Sequence, residues 1–333
     1  MYTLYALGNA LVDNEITLSS DELAKVGLSK GHMSLIDEEE FNALYAQFKS
    51  KIIKKSSGGS AANTVIGATH LACKTYFSCQ VADDEQGHFY QKDLTQHHVQ
   101  HNIQASQHGQ TGNCMVFITE DGERSMASYL GVSSTISPDN IDPNALQQSE
   151  WAYIEGYLVS SPTGASAAKT FKKMAESKQV KTAVTLSDVS MITYFRSEFN
   201  DLLQTPVDLL FCNEEEALAF SETQTLDQAI PLLEKVAHQS VITLGKNGAL
   251  IIKNGQQEKV DGCKSTLLDT NGAGDLFAGI FLASISKGHP AKMAAEAANF
   301  AAAKLVSQYG ARLNDNNIKD VQHYFNTQQQ VVS

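Results

Sequence analysis

The string Asp269-Thr270-Asn271-Gly272-Ala273-Gly274-Asp275 is followed at once by an apolar run from Leu276. Small residues at 272–274 let backbone N–H groups crowd together at a helix start, where free amides and the helix dipole favour an anion. Asp275 falls in the first turn of that helix. A carboxylate there can accept a proton from an attacking hydroxyl while the amides of Gly272, Ala273 and Gly274 hold a phosphoryl group in transfer. The same residues also read as an acid that merely complements the helix dipole. No Walker A string is present: Gly164 to Lys169-Thr170 lacks the second glycine and is one residue short.

Four further positions have side chains suited to a ligand. Gly58-Gly59-Ser60-Ala61-Ala62-Asn63 pairs glycines that admit close backbone approach with an Asn one helical turn on. An Asn can hydrogen-bond a sugar hydroxyl both ways, although Ser60 also reads as an ordinary helix cap. Asp13 follows the first β-type run, in the region where open α/β sheets gather ligands. Asn213-Glu214-Glu215-Glu216 sets three adjacent carboxylates, which resist one another unless solvated or neutralised by a cation such as magnesium. Asn213 equally caps a helix whose first turn favours acids. Thr243-Leu244-Gly245-Lys246-Asn247-Gly248 follows a β run as a nucleotide-facing loop would, in a spacing common to many turns.

The elements that must position these residues alternate regularly. Tyr2 to Val12 reads as a strand broken at Gly8-Asn9, with Asp13 in the turn after it. Asp37–Phe48 reads as a helix, Ser60 to Leu71 as another, then strand Thr75–Val81 and helix Asp84–His97. Strands at Trp151–Ile154, Thr182–Leu186, Asp208–Cys212 and Ser240–Leu244 alternate with helices at 163–177, 190–203, 213–220 and 226–238. A hairpin near 248–260 and two long helices near 273–286 and 291–308 close the chain. Such alternation implies a largely parallel sheet with helices on both faces, a three-layer α/β domain spanning 1–333. Cys114–Thr119 and Ser125–Leu130 break the rhythm around Glu120-Asp121-Gly122-Glu123, a hairpin signal. Segments 14–35 and 101–131 are expected to pair as a small β lid, with Met33, Leu35, Phe117, Met126 and Tyr129 as an apolar wall or as the lid's own core.

Composition narrows the function further. Hydrophobic residues at 42% and charged residues at 19% of 333 allow a full core. A net charge of −12 argues against nucleic acid or an anionic membrane as partner. Five cysteines without a Cys-x-x-Cys pair point to reduced thiols in a cytoplasmic protein. No signal peptide is read at the N-terminus, and the longest uncharged apolar stretch, Leu276 to Ser286, is too short to span a bilayer.

Taken in order, these motifs resemble the ribokinase family, the PfkB carbohydrate kinases, over nearly the whole chain. Its two signatures match Gly58-Gly59-x-x-x-Asn63 and Asp269-Thr270-x-Gly272-Ala273-Gly274-Asp275, with the Asn213-x-x-Glu216 element between them. Within the family the likeness is to adenosine kinase-like nucleoside kinases, through Gly8-Asn9-Ala10-Leu11-Val12-Asp13, Glu123-Arg124-Ser125 and the length. The resemblance implies a ribokinase-like αβα fold with a β lid. It implies Asp275 as catalytic base and the amides of Gly272, Ala273 and Gly274 as anion hole. Asn9, Asp13, Gly58, Gly59, Asn63 and Arg124 would contact the substrate, Arg124 reaching from the lid toward phosphates or a sugar hydroxyl. Asn213, Thr243, Gly245, Gly248 and Asn299 would serve ATP, Glu216 its Mg2+, and Asp269 with Thr270 a monovalent cation such as K+. A monomer or homodimer phosphorylating a ribose-containing small molecule, adenosine first, is the expectation. A kinase of a free sugar or sugar phosphate, a non-catalytic nucleoside- or sugar-binding protein, and an interaction scaffold stay open on the residues alone.

Overall fold

Leu4, Tyr5, Ala6 and Leu7 have no solvent exposure at all. A strand covered on both faces reads as a continuous apolar run rather than an alternation. Here the period of two sends Leu4 and Ala6 into one hydrophobic core and Tyr5 and Leu7 into another. This strand lies inside a nine-stranded sheet that separates those two cores. The computed structural model describes all residues except Ser29, His32, Gly122 and Ser333, and side chains as far as Gln328.

In chain order the strands are β1 (Tyr2–Leu7), β2 (Leu11–Thr17), β3 (Met33–Leu35), β4 (Ile52–Gly58), β5 (Thr75–Ser78), β6 (Val99–His101), β7 (Gly112–Ile118), β8 (Arg124–Tyr129), β9 (Ser149–Ile154), β10 (Lys181–Thr185), β11 (Leu209–Asn213), β12 (Gln239–Thr243), β13 (Ala249–Lys253) and β14 (Gln256–Val260). The large sheet runs β14-β13-β12-β11-β10-β9-β1-β5-β6. It is parallel from β12 to β6, and the hairpin β13–β14 adds two antiparallel strands at one edge. Helices Ser60–Thr69, Ala273–Ser286 and Ala291–Leu305 pack on one face, and Pro162–Ser177 and Leu226–Val236 on the other, giving the three layers. Among the described residues no helix is long and apolar enough to cross a membrane.

A second, five-stranded sheet has the order β3-β8-β7-β2-β4. One of its faces packs Ile16, Met115, Phe117 and Ala127 on Phe41 and Phe48 of helix Glu38–Phe48. Several features differ from the sequence expectation. Asp13 sits within β2 rather than in a turn, because the chain breaks at residues 8–10 and resumes as a new strand. The polar run Ile52–Gly58 is a strand of the small sheet, whereas residues 101–111 contribute none. The helix expected at 190–203 is two, Val189–Tyr194 and Arg196–Leu202, separated at Phe195. A further helix, Asp315–Val332, follows Ala291–Leu305. Gly122, placed in the hairpin turn by the sequence, lies outside the described residues.

Candidate active site

Helices Ser60–Thr69 and Ala273–Ser286 cross where a Cβ on Gly279 would stand 2.3 Å from the carbonyl oxygen of Thr64. Only a glycine permits that approach, and it brings the two N-terminal turns side by side. Ser60 Oγ donates to Asp275 Oδ1 at 2.6 Å, and Asn63 Nδ2 donates to Oδ2 at 3.0 Å. Burial pushes the Asp275 carboxyl above its ordinary range, and the Ser60 and Asn63 hydrogen bonds pull it partly back. The result is an oriented carboxylate with a strengthened appetite for a proton.

The helix that carries Asp275 starts at an uncapped turn. Gly272 occupies the left-handed region at φ 72°, and no side chain caps it. Leu276 N–H makes the first intrahelical bond, to the carbonyl of Gly272 at 2.9 Å, so the Gly274 N–H has no acceptor in its own helix. Ala273 N–H, expected in the anion hole, already donates to the Thr270 carbonyl at 3.2 Å. A Cβ on Gly274 would meet nothing within 4 Å, because that side opens onto a cavity of about 500 Å³.

At another wall of this cavity stands Asp13. The register aligns Ser56, Asp13, Cys114, Ser128 and Leu35 in one row across the small sheet, so they share a face. That face meets the cavity with Leu11, Asp13, Met33, Leu35, Cys114, Met126 and Ser128. Phe117 and Tyr129, expected in the same wall, belong to the opposite face. Phe117 is in the small sheet's core and Tyr129 stacks on Phe41 at 5.1 Å. Burial pushes the Asp13 carboxyl up to about 7, against the pull of the Arg312 guanidinium. Gly58 does not line the cavity. It makes room for Asp13, since a Cβ there would lie 2.3–2.5 Å from the carboxylate atoms.

Asn213, Glu216, Thr243, Thr270 and Gly272 complete the cavity beside Gly59 and Asn63. Asn213 and Glu216 form a capping box: Glu216 N–H donates to Asn213 Oδ1 at 2.7 Å and Asn213 N–H to Glu216 Oε2 at 3.1 Å, with a further bond from Asn213 Nδ2 to Glu216 Oε1 at 2.7 Å. The capping reading of this pair is met, and both residues also line the cavity. Burial raises the Glu216 carboxyl to about 7, and Asp188, Asp275 and Glu215 add repulsion. Gly245, Gly248 and Asn299 lie off the cavity wall. Asn299 Nδ2 holds the carbonyl of Asp261 at 3.0 Å, beside Gly262, which packs on Gly248.

Three assigned residues are engaged with partners inside the protein. Arg124 does not point to the cavity: its guanidinium lies 2.9 Å from Asp269 Oδ2 with its side chain 7% exposed. Asp269 in turn accepts from the N–H groups of Asn271 and Gly310. Its carboxylate is shared among a cationic partner and two amides, so Arg124 already brings positive charge to the place expected to hold a monovalent cation. Asn9 lines the cavity, but its side chain is taken up by Glu155 Oε1 at 3.0 Å and by Ser133 Oγ at 3.1 Å.

The site also holds residues that the sequence reading passed over. Glu155, fully buried after β9, accepts from Asn9 and from Ala61 N–H at 2.8 Å, and burial raises its carboxyl to about 7. It ties the β1 turn to the start of helix Ser60–Thr69. Ser187 and Asp188 line the cavity after β10, and Ser187 holds a left-handed φ of 68°, a strain that clusters at ligand sites. Their position beyond the carboxyl ends of β9 and β10 is the signal that could have found them.

A family model described as pfkB family carbohydrate kinase matches residues 20–318. The adenosine kinase of Dictyostelium discoideum is 27% identical over 329 residues, covering 91% of this chain and 94% of its own. Among solved structures, the adenosine kinase from Sinorhizobium meliloti is 32% identical, with a TM-score of 0.87 over 97% of this chain and 99% of its own. A probable sugar kinase from Rhizobium etli CFN 42 is 29% identical, with a TM-score of 0.89 over 97% and 98%.

Proposed function

This chain belongs to the pfkB family of carbohydrate kinases, and from that premise we propose that it phosphorylates the 5′-hydroxyl of a purine nucleoside, adenosine first, with ATP as donor. It is a phosphotransferase with an alcohol acceptor. One observation carries the choice of acceptor: a single cavity joins the Asp275 helix start to an Asp13 carboxylate and a wall of Leu11, Met33, Leu35 and Met126. Vicinal ribose hydroxyls suit the carboxylate, and a flat base suits the apolar wall. The small sheet carries both and covers the cavity as a lid.

In this reading Asp275 takes the proton as the acceptor oxygen attacks the γ-phosphorus. The new O–P bond forms, the bond from phosphorus to the β-phosphate bridging oxygen breaks, and ADP leaves with that electron pair. The Gly274 amide and the positive end of its helix stabilise charge on the transferring group. Ser60 and Asn63 orient the carboxylate. Glu216 and Asp188 fit a magnesium ion: they are acidic, they repel one another across the cavity, and Glu216 keeps lone pairs beyond its two bonds to Asn213. Bound there with ATP, Mg2+ would neutralise phosphate charge. The five cysteines form no disulfide among the described residues, which suits the cytoplasm.

The acceptor is tested by kcat/KM for adenosine, inosine, guanosine, ribose and fructose at equal ATP and magnesium. We expect adenosine to lead the free sugars by at least about tenfold, as burial of a base in an apolar pocket is worth that much. If ribose or fructose led every nucleoside tenfold, the nucleoside reading would fall and a sugar kinase stand. ADP release with none of them would favour a binding protein.

Gly58→Ala probes the acceptor end separately. The added methyl would overlap the Asp13 carboxylate. It should raise the acceptor's KM roughly tenfold with kcat changed less, the pattern of a lost ground-state contact. An unchanged KM would remove Asp13 from acceptor binding.

A further inference from the structure

Arg124, Glu15 and Lys54 stand on three different strands of the small sheet, β8, β2 and β4, and converge on one point of the large domain. Arg124 Nη2 lies 2.9 Å from Asp269 Oδ2 and 3.8 Å from Glu15 Oε1, and Lys54 Nζ lies 3.7 Å from Glu15 Oε1. The side chains of Arg124, Asp269 and Glu15 are 7%, 2% and 8% exposed. Removing such charges from water offsets most of the attraction between them, so a buried pair is a poor source of net stability. What it does supply is a fixed geometry between the groups it joins.

That geometry bears on the anion site. Asp269 opens the turn that leads into Gly272. Its Oδ1 accepts from Asn271 N–H at 3.0 Å and so shapes the turn from within. Its Oδ2 accepts from Gly310 N–H at 2.7 Å and meets Arg124. The guanidinium thus stands in ion-pair contact with the carboxylate whose other oxygen sets the backbone entering the helix start, while its Nε and Nη2 make no hydrogen bond of good geometry. Arg124 itself does not line the cavity.

We propose that Arg124 is a positioning residue: its ion pair with Asp269 couples docking of the small sheet to the shape of the 269–274 turn, and so to the placement of the anion-hole amides. The catalytic half of this statement rests on the kinase reading above. The ordering of the turn does not.

The test has two arms. The first is hydrogen exchange on the ligand-free protein. In Arg124→Met the amides of 270–275 should exchange at least about tenfold faster, while β9 to β11 keep their protection, as local opening without global unfolding requires. The second arm is steady-state kinetics with ATP and adenosine. Arg124→Met and Asp269→Asn should each lower kcat about tenfold or more with the KM for ATP within about threefold, since misplaced amides fail chiefly in the transition state. The double variant should be no worse than the poorer single, which marks a shared role. Arg124→Lys, which restores the charge, should recover most of the lost kcat.

Unchanged exchange in 270–275 would overturn the proposal whatever the enzyme's substrate. So would losses that multiply in the double variant, or a raised KM for ATP with normal kcat, which would put the guanidinium on the nucleotide. If Arg124→Met does not fold, the exchange measurement on the near-isosteric Asp269→Asn decides in its place. A wild-type chain that turns over no acceptor would count against the kinase reading alone, leaving the exchange result intact.

Discussion

Asp275→Asn lowers kcat by about 10²–10⁴, the usual cost of removing a general base, while ATP and the acceptor still bind. The amide keeps the carboxylate's shape and can still accept from Ser60 or Asn63, whose donors lie 2.6 and 3.0 Å away. What it cannot do is take a proton from the attacking hydroxyl. The raised affinity of Asp275 for a proton has two consequences of opposite sense. Catalysis needs the ionised form, so the wild-type rate should fall as pH drops through that raised value, at higher pH than an ordinary carboxylate would give. Stability runs the other way. A folded-state pKa above the unfolded one favours the fold at low pH, and that advantage is lost as pH rises through the folded value. At neutral pH the ionised Asp275 therefore costs the fold something, and Asn removes the charge at the expense of one hydrogen bond. We expect a melting temperature within a few degrees of wild type. Single-turnover rates and calorimetric binding of both ligands check the prediction. A variant retaining more than about a tenth of wild-type kcat would remove Asp275 from the role of base.

The parts of this site that were legible in the sequence are those built from neighbours along the chain. The Gly272-Ala273-Gly274-Asp275 helix start forms as its residues predict, because small residues at a helix N-terminus act within one turn. Asn213 and Glu216 likewise meet at a spacing of three, the capping-box spacing. The contacts that convert these pieces into one site span the chain instead. Ser60 and Asp275 are separated by 215 positions, and nothing local announces their bond. Arg124 was given a ligand to reach for, because a cation beside a presumed phosphate site has an obvious partner. Its actual partner, Asp269, belongs to the other signature, and only the docking of two sheets brings them together.

The apolar wall shows the same limit in a subtler form. Alternation along Cys114–Ile118 and Arg124–Tyr129 tells which residues share a face. It cannot tell which face meets the cavity, a choice set by where helix Glu38–Phe48 packs. Hence Met33 and Met126 reach the cavity while Phe117 and Tyr129 do not. The strand Ile52–Gly58 escaped notice for another reason. It is an edge strand with Lys54, Lys55, Ser56 and Ser57 at its centre, the polar composition that keeps exposed edges from pairing. The helix Ser20–Val26 was missed although Ser19 and Glu22 carry a capping box that the spacing does encode.

Gly274→Val is expected to cut kcat by about 10²–10³, the scale of losing one oxyanion-hole donor, with a much smaller change in the KM for ATP. The space around this residue makes the expectation specific. A Cβ at Gly274 meets no atom within 4 Å, so the fold tolerates a side chain there. By contrast a Cβ on neighbouring Gly272 would press on Ala311 at 2.8 Å and would suffer a φ of 72°, so a loss there would confound folding with catalysis. The open space at Gly274 is the cavity itself, and a valine would fill the volume directly over the amide that should face the transferring phosphoryl group. Binding energy that is realised mainly in the transition state appears in kcat, whereas contacts equal in ground and transition states appear in KM. ATP in its ground state is held by much more than this one amide, so its KM should move little. Steady-state kinetics at saturating acceptor, with a thermal melt to show an intact fold, separate the cases. A large rise in the KM for ATP with normal kcat would place Gly274 in ground-state nucleotide binding, and the anion hole would have to be sought elsewhere in the cavity.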